Sequence, residues 1–162
     1  MAIRNIVTIE DSVLRKTSRP VVKFDEKLWT LLDDMWETLK KAEGVGLAAV
    51  QVGILRRVVI VDVGDGKPLE LINPEIVEES GEQEGQEGCL SLPEQWGIVK
   101  RPMFVKVRCQ NRKGQWCMYK GEDLKARCFC HEIDHLDGIV FTDKVKRMLT
   151  DEELRRLNGS EN

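Results

Sequence analysis

At 162 residues the chain is long enough for one real hydrophobic core, and a single domain over residues 1–162 is expected. With 41% hydrophobic and 33% charged residues it has the composition of a folded globular protein, and a net charge of −3 argues against a general nucleic-acid binder. No apolar run approaches the roughly 20 residues a membrane-spanning helix needs. The opening "MAIRNIVTIEDSVLRK", acidic at Glu10 and Asp11, lacks a secretory or transit-peptide pattern, so the expected location is the cytoplasm.

Residues 25–43, "DEKLWTLLDDMWETLKKAE", predict a helix. Leu28, Leu31, Leu32, Met35, Leu39 and Ala42 fall on one face at a period of 3.6, widened by Trp29 and Trp36. Asp25 is placed to cap its start and Gly44 its end. Strands are predicted over 56–63 and 69–80, around the turn "GDGKP". "FVKVRCQ" and "QWCMYKG" flank "NRKG" and predict a hairpin. A second helix is expected to begin near Gly121 and Glu122 and to stop at Gly138, where a C-terminal cap often sits. "IVFTDKV" predicts a closing strand, and "TDEELRRLNG" a short helix opened by a Thr150–Glu153 capping box. Strands without regular β–α alternation predict an α+β fold, antiparallel strands around a central helix.

That second helix carries "CFCHEIDHLDG" (128–138), which holds both histidines of the chain. Positions four apart lie on one helix face, so His131 and His135 can aim two imidazoles at one point. Glu132 projects about 100° round from His131, close enough to address a metal-bound water without binding the metal. This is the HExxH arrangement of two ligands and a general base. A catalytic metal takes three protein ligands and keeps one position open. No third histidine exists, so a carboxylate or a cysteine must complete the set.

The five cysteines are irregularly spaced with no CxxC pair, which favours thiols or metal ligands over a disulfide framework. Cys128 shares the helix face of His131 but lies about 10 Å along the axis from His135, too far for one metal without strain. Cys130, adjacent to His131, points away. Cys89, in "EGCLSLP" between Gly88 and Pro93, is either the missing ligand or a small buried residue. Spacing alone leaves both open.

Three segments in this order, "GVGLAAVQ" (44–51), "EGCLSLP" (87–93) and "HEIDH" (131–135), resemble the peptide deformylase family. "DSVLRKTSRPV" (11–21) resembles its N-terminal region, and the likeness runs from Ile3 to about Asp143. HExxH alone would indicate only a metallohydrolase. The resemblance implies a metal held by Cys89, His131 and His135, with Glu132 as general acid and base. It implies that Gln51 and the backbone N–H of Leu90 stabilise an oxyanion, and that Val45, Gly46, Glu87, Gly88, Leu124 and Cys128 contact substrate. The implied metal is Fe²⁺, with Zn²⁺, Ni²⁺ or Co²⁺ as substitutes. The implied reaction removes formyl from N-formylmethionine on newly synthesised polypeptides and releases formate.

Cys130 stands where many members have Gln, Trp96 where Arg is frequent, and Arg127 where an apolar pocket residue can occur. These departures bear on substrate preference rather than on the reaction. Lys144, Lys146, Arg147, Arg155 and Arg156 offer a basic surface for transient ribosome contact, as in some relatives, although a solvated helix face is the simpler account.

Overall fold

A run of four apolar residues, Val58–Val61, forms the strand with both faces buried, and the fold is built on it. It is β2 of a five-stranded antiparallel sheet ordered β1-β2-β3-β6-β7: β1 Gly46–Ala48, β3 Leu69–Ser80, β6 Phe104–Gln110 and β7 Trp116–Glu122. Because strand side chains alternate, the sheet has two apolar faces. Val58, Ile60, Leu47 and Ile72 meet helix α1 (Glu26–Ala42). Val59, Val61, Leu71, Val105 and Val107 meet helix α2 (Leu124–Leu136) through Ala126, Phe129, Ile133 and Leu136. The computed structural model describes residues 2–159.

A three-stranded sheet ordered β4-β5-β8 stands apart, made of Gln83–Cys89, Leu92–Arg101 and Val145–Met148. Its β4–β5 hairpin ends in a register break between Gly88 and Cys89, which puts Cys89 at the tip opposite Leu92. Helix α3 (Asp151–Gly159) closes the described chain. The α+β class of antiparallel sheets and helices is the observed one. Among the described residues no helix is long and apolar enough to cross a membrane.

Local chemistry sets several boundaries. Asp25 caps α1, its carboxylate accepting the Leu28 N–H at 3.3 Å. The far end departs from expectation: Glu43, not Gly44, takes the left-handed conformation (φ 56°) and donates to the Leu39 and Lys40 carbonyls. Gly44 shares in closing the helix, its N–H donating to the Leu39 carbonyl at 3.3 Å, and it also allows close packing, since a Cβ there would lie 2.9 Å from Leu39 Cδ1 and 3.0 Å from Leu90 Cδ1. Helix α2 starts later than predicted, because β7 stays paired with β6 through Glu122 opposite Phe104. "IVFTDKV" is a 3-10 turn (Phe141–Asp143) followed by β8, not one strand: the Asp143 carboxylate accepts the Val140 N–H at 3.0 Å and folds the segment back. The capping box of α3 is reciprocal, with Thr150 N–H donating to Glu153 and Glu153 N–H to the Thr150 hydroxyl. Four of the five basic residues noted near this end, Lys144, Lys146, Arg147 and Arg156, are ion-paired to carboxylates of the chain.

Candidate active site

The site lies where α2, the tip of β4 and the segment after β1 converge on one cavity of about 460 Å³. Every expected site residue except His135 lines it: Val45, Gly46, Gln51, Glu87, Gly88, Cys89, Leu90, Leu124, Cys128, His131 and Glu132. His135 is fully buried behind Cys89, its Nε2 3.3 Å from the sulfur. At the mouth, Val45, Trp96 and Leu124 are 43%, 37% and 50% exposed, an apolar rim around a polar floor.

Three donor atoms, one each from Cys89, His131 and His135, lie within 4.8 Å of one another. Helix α2 supplies two from one face, and the β4–β5 turn carries the third to them. Cys128 is absent from the cluster. Its sulfur donates to the Val45 carbonyl at 3.6 Å, and burial, with Glu132 and Glu87 adding to it, pushes its thiol well above its ordinary value. Cys130 is buried beside Arg101 and Asp134, on another side of the helix.

Glu87 fixes the orientation of His131. Its Oε1 lies 2.9 Å from His131 Nδ1, and Arg101 grips both carboxylate oxygens at 2.8 and 2.9 Å. Burial pushes the Glu87 carboxyl up, but hydrogen bonds from Arg101 and His131 outweigh it and hold it at about 2. An ionised carboxylate only accepts, so Nδ1 of His131 carries the proton and Nε2 keeps the lone pair a metal requires. Glu87 thus lines the cavity, but its charged end is committed to the ligand histidine rather than turned to substrate.

Gln51 comes from the 3-10 turn Ala49–Val52, fully buried. Its Oε1 accepts the Ala48 N–H at 3.0 Å, which fixes the amide so that Nε2 faces the Cys89 sulfur (3.5 Å) and the Ser91 hydroxyl (3.1 Å). Burial pushes the Glu132 carboxyl up to about 7 before any metal charge is counted. Among the described residues, Glu132 Oε1 and His135 Nδ1 are buried without a hydrogen-bond partner. Buried polar atoms are rarely left so. A convergent thiolate–imidazole donor set beside a carboxylate oxygen with no protein partner fits a divalent metal and its water.

Arg127 lines the cavity, at the pocket position expected for it, whereas Arg101 and Ser91 were not anticipated as parts of the site. Ser91 lies inside the segment already singled out, but Arg101 has no local motif. Only the strand alternation of β5, which buries Val99 and Arg101 together, marks it.

An HExxH helix brought against a cysteine from a separate sheet, beside an open-mouthed, apolar-rimmed cavity, defines a metal-dependent hydrolase. The family model described as Polypeptide deformylase matches residues 3–151. A peptide deformylase of Caldanaerobacter subterraneus subsp. tengcongensis is 59% identical over 154 residues, 95% of this chain and 96% of that protein. The crystal structure of peptide deformylase from Thermotoga maritima is 42% identical with a TM-score of 0.87, covering 90% of this chain and 99% of that one. The Legionella pneumophila peptide deformylase structure is 38% identical with a TM-score of 0.86, covering 99% and 98%. The chain belongs to the polypeptide deformylase family, enzymes that remove N-formyl groups from nascent polypeptides.

Proposed function

We propose that this chain, as a single catalytic domain acting in the cytoplasm, hydrolyses the formyl amide of N-formylmethionine with a metal held by Cys89, His131 and His135. The observation that carries the ligand assignment is the convergence of those three donors, within 4.8 Å, at one wall of the cavity. Bound there, a divalent cation would supply Lewis acidity, polarising the formyl oxygen and lowering the pKa of a water. We take Fe²⁺ as the native metal and Zn²⁺, Ni²⁺ and Co²⁺ as working substitutes, since thiolate and imidazole suit all four.

The chain's own groups do the rest. Glu132 Oε1, with no protein partner, accepts the proton of the attacking water and later delivers it to the departing nitrogen. Gln51 Nε2, held by the Ala48 anchor, and the Leu90 N–H donate to the oxygen that gains charge as the formyl carbon becomes tetrahedral. The C–N bond breaks, and water's oxygen leaves in formate while the peptide keeps a free α-amine. Val45 and Leu124 at the rim, with Gly46, Gly88 and Cys128, bury the methionine side chain and let the peptide backbone pass. The macromolecular partner is the emerging formylated chain, with any ribosome contact transient.

The ligand assignment is tested by metal content. Cys89→Ser should purify without stoichiometric metal and release no formate from formyl-Met-Ala, while Cys128→Ser should retain metal. Metal kept by Cys89→Ser and lost by Cys128→Ser would reverse the assignment.

A further inference from the structure

Arg127 stands one helical turn before His131, on the face of α2 that carries both histidines. It is buried, yet it also lines the catalytic cavity. Its NH1 donates to Glu87 Oε2 at 2.5 Å and to the Val99 carbonyl at 3.1 Å, and its NH2 lies 3.4 Å from Gln83 Oε1. Strand β4 makes room for it: a Cβ at Gly85 would come within 3.1 Å of NH2 and 3.3 Å of Cζ. The guanidinium therefore lies flat against a strand that has no side chain at that position.

Resting on Cys89, His131 and His135 as the metal's ligands, we propose that Arg127 is a positioning residue for His131, acting through Glu87. A carboxylate has about four acceptor positions. On Glu87, Oε1 takes Arg101 NH2 and His131 Nδ1, and Oε2 takes Arg101 Nε and Arg127 NH1. Arg101 reaches the carboxylate from β5, whereas Arg127 covers it from the cavity. With both in place no acceptor position is left for cavity water, and Oε1 has one direction left, towards the imidazole. Without Arg127, Oε2 opens to cavity water, and the Arg101 fork alone is left to hold the carboxylate against the pull of that water. The hydrogen bond that holds the His131 ring is then less tightly fixed. Groups that orient a ligand histidine are worth roughly 10–100-fold in metal affinity or activity.

The test compares wild type with Arg127→Met, Arg127→Lys, Gly85→Ala and His131→Ala, each loaded with Co²⁺. Two signals are read: the visible ligand-field bands, and the rate at which a chelator removes the metal. Arg127→Met should release cobalt about 10–100 times faster than wild type with shifted bands. Arg127→Lys keeps a cation and one donor towards Oε2, and should move both signals back towards wild type. A merely structural arginine would lower the melting temperature of the metal-free protein and leave bands and release rate at wild-type values, and that result overturns the proposal. Should Arg127→Met fail to fold, Gly85→Ala decides, because its Cβ forces the guanidinium to shift by a few tenths of an ångström from Glu87 without removing it. Faster release and shifted bands are expected there, and unchanged ones overturn the proposal. Full cobalt with unchanged bands in His131→Ala would overturn the ligand assignment and the proposal with it. A metal-free His131→Ala beside a wild-type-like Arg127→Met overturns the role of Arg127 alone.

Discussion

Replacing Gly46 by alanine should disable the proton carrier without touching a metal ligand. Gly46 is not in the left-handed region, so alanine adds no backbone strain there. Its Cβ would lie 2.7 Å from Glu132 Oε2, 2.9 Å from Glu132 Cγ and 2.7 Å from Cys128 Sγ. Comfortable contact begins at about 3.5 Å, so the Glu132 side chain must move by roughly 0.6–0.8 Å. Overpacking of this kind costs about 1–3 kcal/mol. At about 2–4 °C per kcal/mol for a chain this size, the melting temperature should fall by about 2–12 °C. A catalytic group misplaced by about 1 Å loses about 10²-fold in rate, equivalent to about 2.7 kcal/mol of barrier. The assay is steady-state formate release from formyl-Met-Ala by the anaerobic variant, with bound metal counted in the same sample. Metal should stay stoichiometric while kcat falls by roughly 10-fold to 10²-fold. Adding Cys128→Ala relieves the sulfur contact, so it should restore part of the melting temperature and none of the rate. A Gly46→Ala enzyme with lowered melting temperature and near-normal kcat would show that the position of Glu132 does not limit the reaction. Loss of metal would show that Glu132 supports the ligands.

Glu132→Gln should keep the metal while turnover falls about 10²–10⁴-fold, the usual worth of a positioned acid and base. Turnover near wild type removes Glu132 from the chemistry. Stripping the metal should add one reactive thiol to the wild-type protein, counted with a chromogenic disulfide: Cys89 and Cys117 are half-buried, whereas Cys109, Cys128 and Cys130 are buried. An unchanged count after chelation contradicts Cys89 as a ligand. At the C-terminal helix, the Arg147 side chain and the Thr150 N–H hold the Glu153 carboxyl at about 2, below its ordinary 4.5. A folded-state value lowered in this way stabilises the α3 cap above the ordinary value, and that contribution fades as pH falls from about 4.5 towards about 2. NMR shifts of residues 151–157 should lose helicity through that range in wild type, and Glu153→Gln should remove the pH response.

The parts legible in the sequence are those in which local pattern and burial agree. The leucine face of α1, strand β3, the hairpin around "NRKG" and the capping box at Thr150 and Glu153 follow from periodicity and turn chemistry, with the bounds shifted by a residue or so. The sulfur of Cys128 lies against the Val45 carbonyl, outside the cluster of three donors. The β4–β5 hairpin was not legible: "QEGQEGC" is polar and glycine-rich, with no alternation to announce a strand. It pairs residue by residue with β5 because its backbone has a partner there, not because its side chains demand burial. The start of α2 was misplaced for a related reason. "GEDLKA" suits a helix start, but the cross-strand pair Phe104–Glu122 holds the chain extended two residues longer. The support around Glu87 was equally hidden, because Arg101, Arg127 and His131 meet there from a strand and a helix far apart in sequence. The i, i+4 spacing links Arg127 to His131, but no spacing rule connects either to Arg101 or Glu87.

The most direct test of the site as a deformylase centre compares formyl-Met-Ala with acetyl-Met-Ala on one preparation of anaerobic, metal-loaded wild-type protein. A formyl carbon carries only hydrogen and fits between the Cys89–Leu90 turn and Gln51, whereas an acetyl group puts a methyl into that packed space. Overpacking by a methyl costs about 1–3 kcal/mol, and the acetyl carbonyl is also the less electrophilic. At 1.36 kcal/mol per tenfold, packing alone favours the formyl peptide by about 5- to 160-fold in kcat/KM, and the weaker acetyl electrophile adds to that, so a preference on the order of 10²-fold is expected. Formate should be released in step with free Met-Ala. Comparable rates on the two peptides would mean an open site and a general amidase, and would contradict the reading of Gln51 and the Cys89–Leu90 turn as a closed oxyanion pocket.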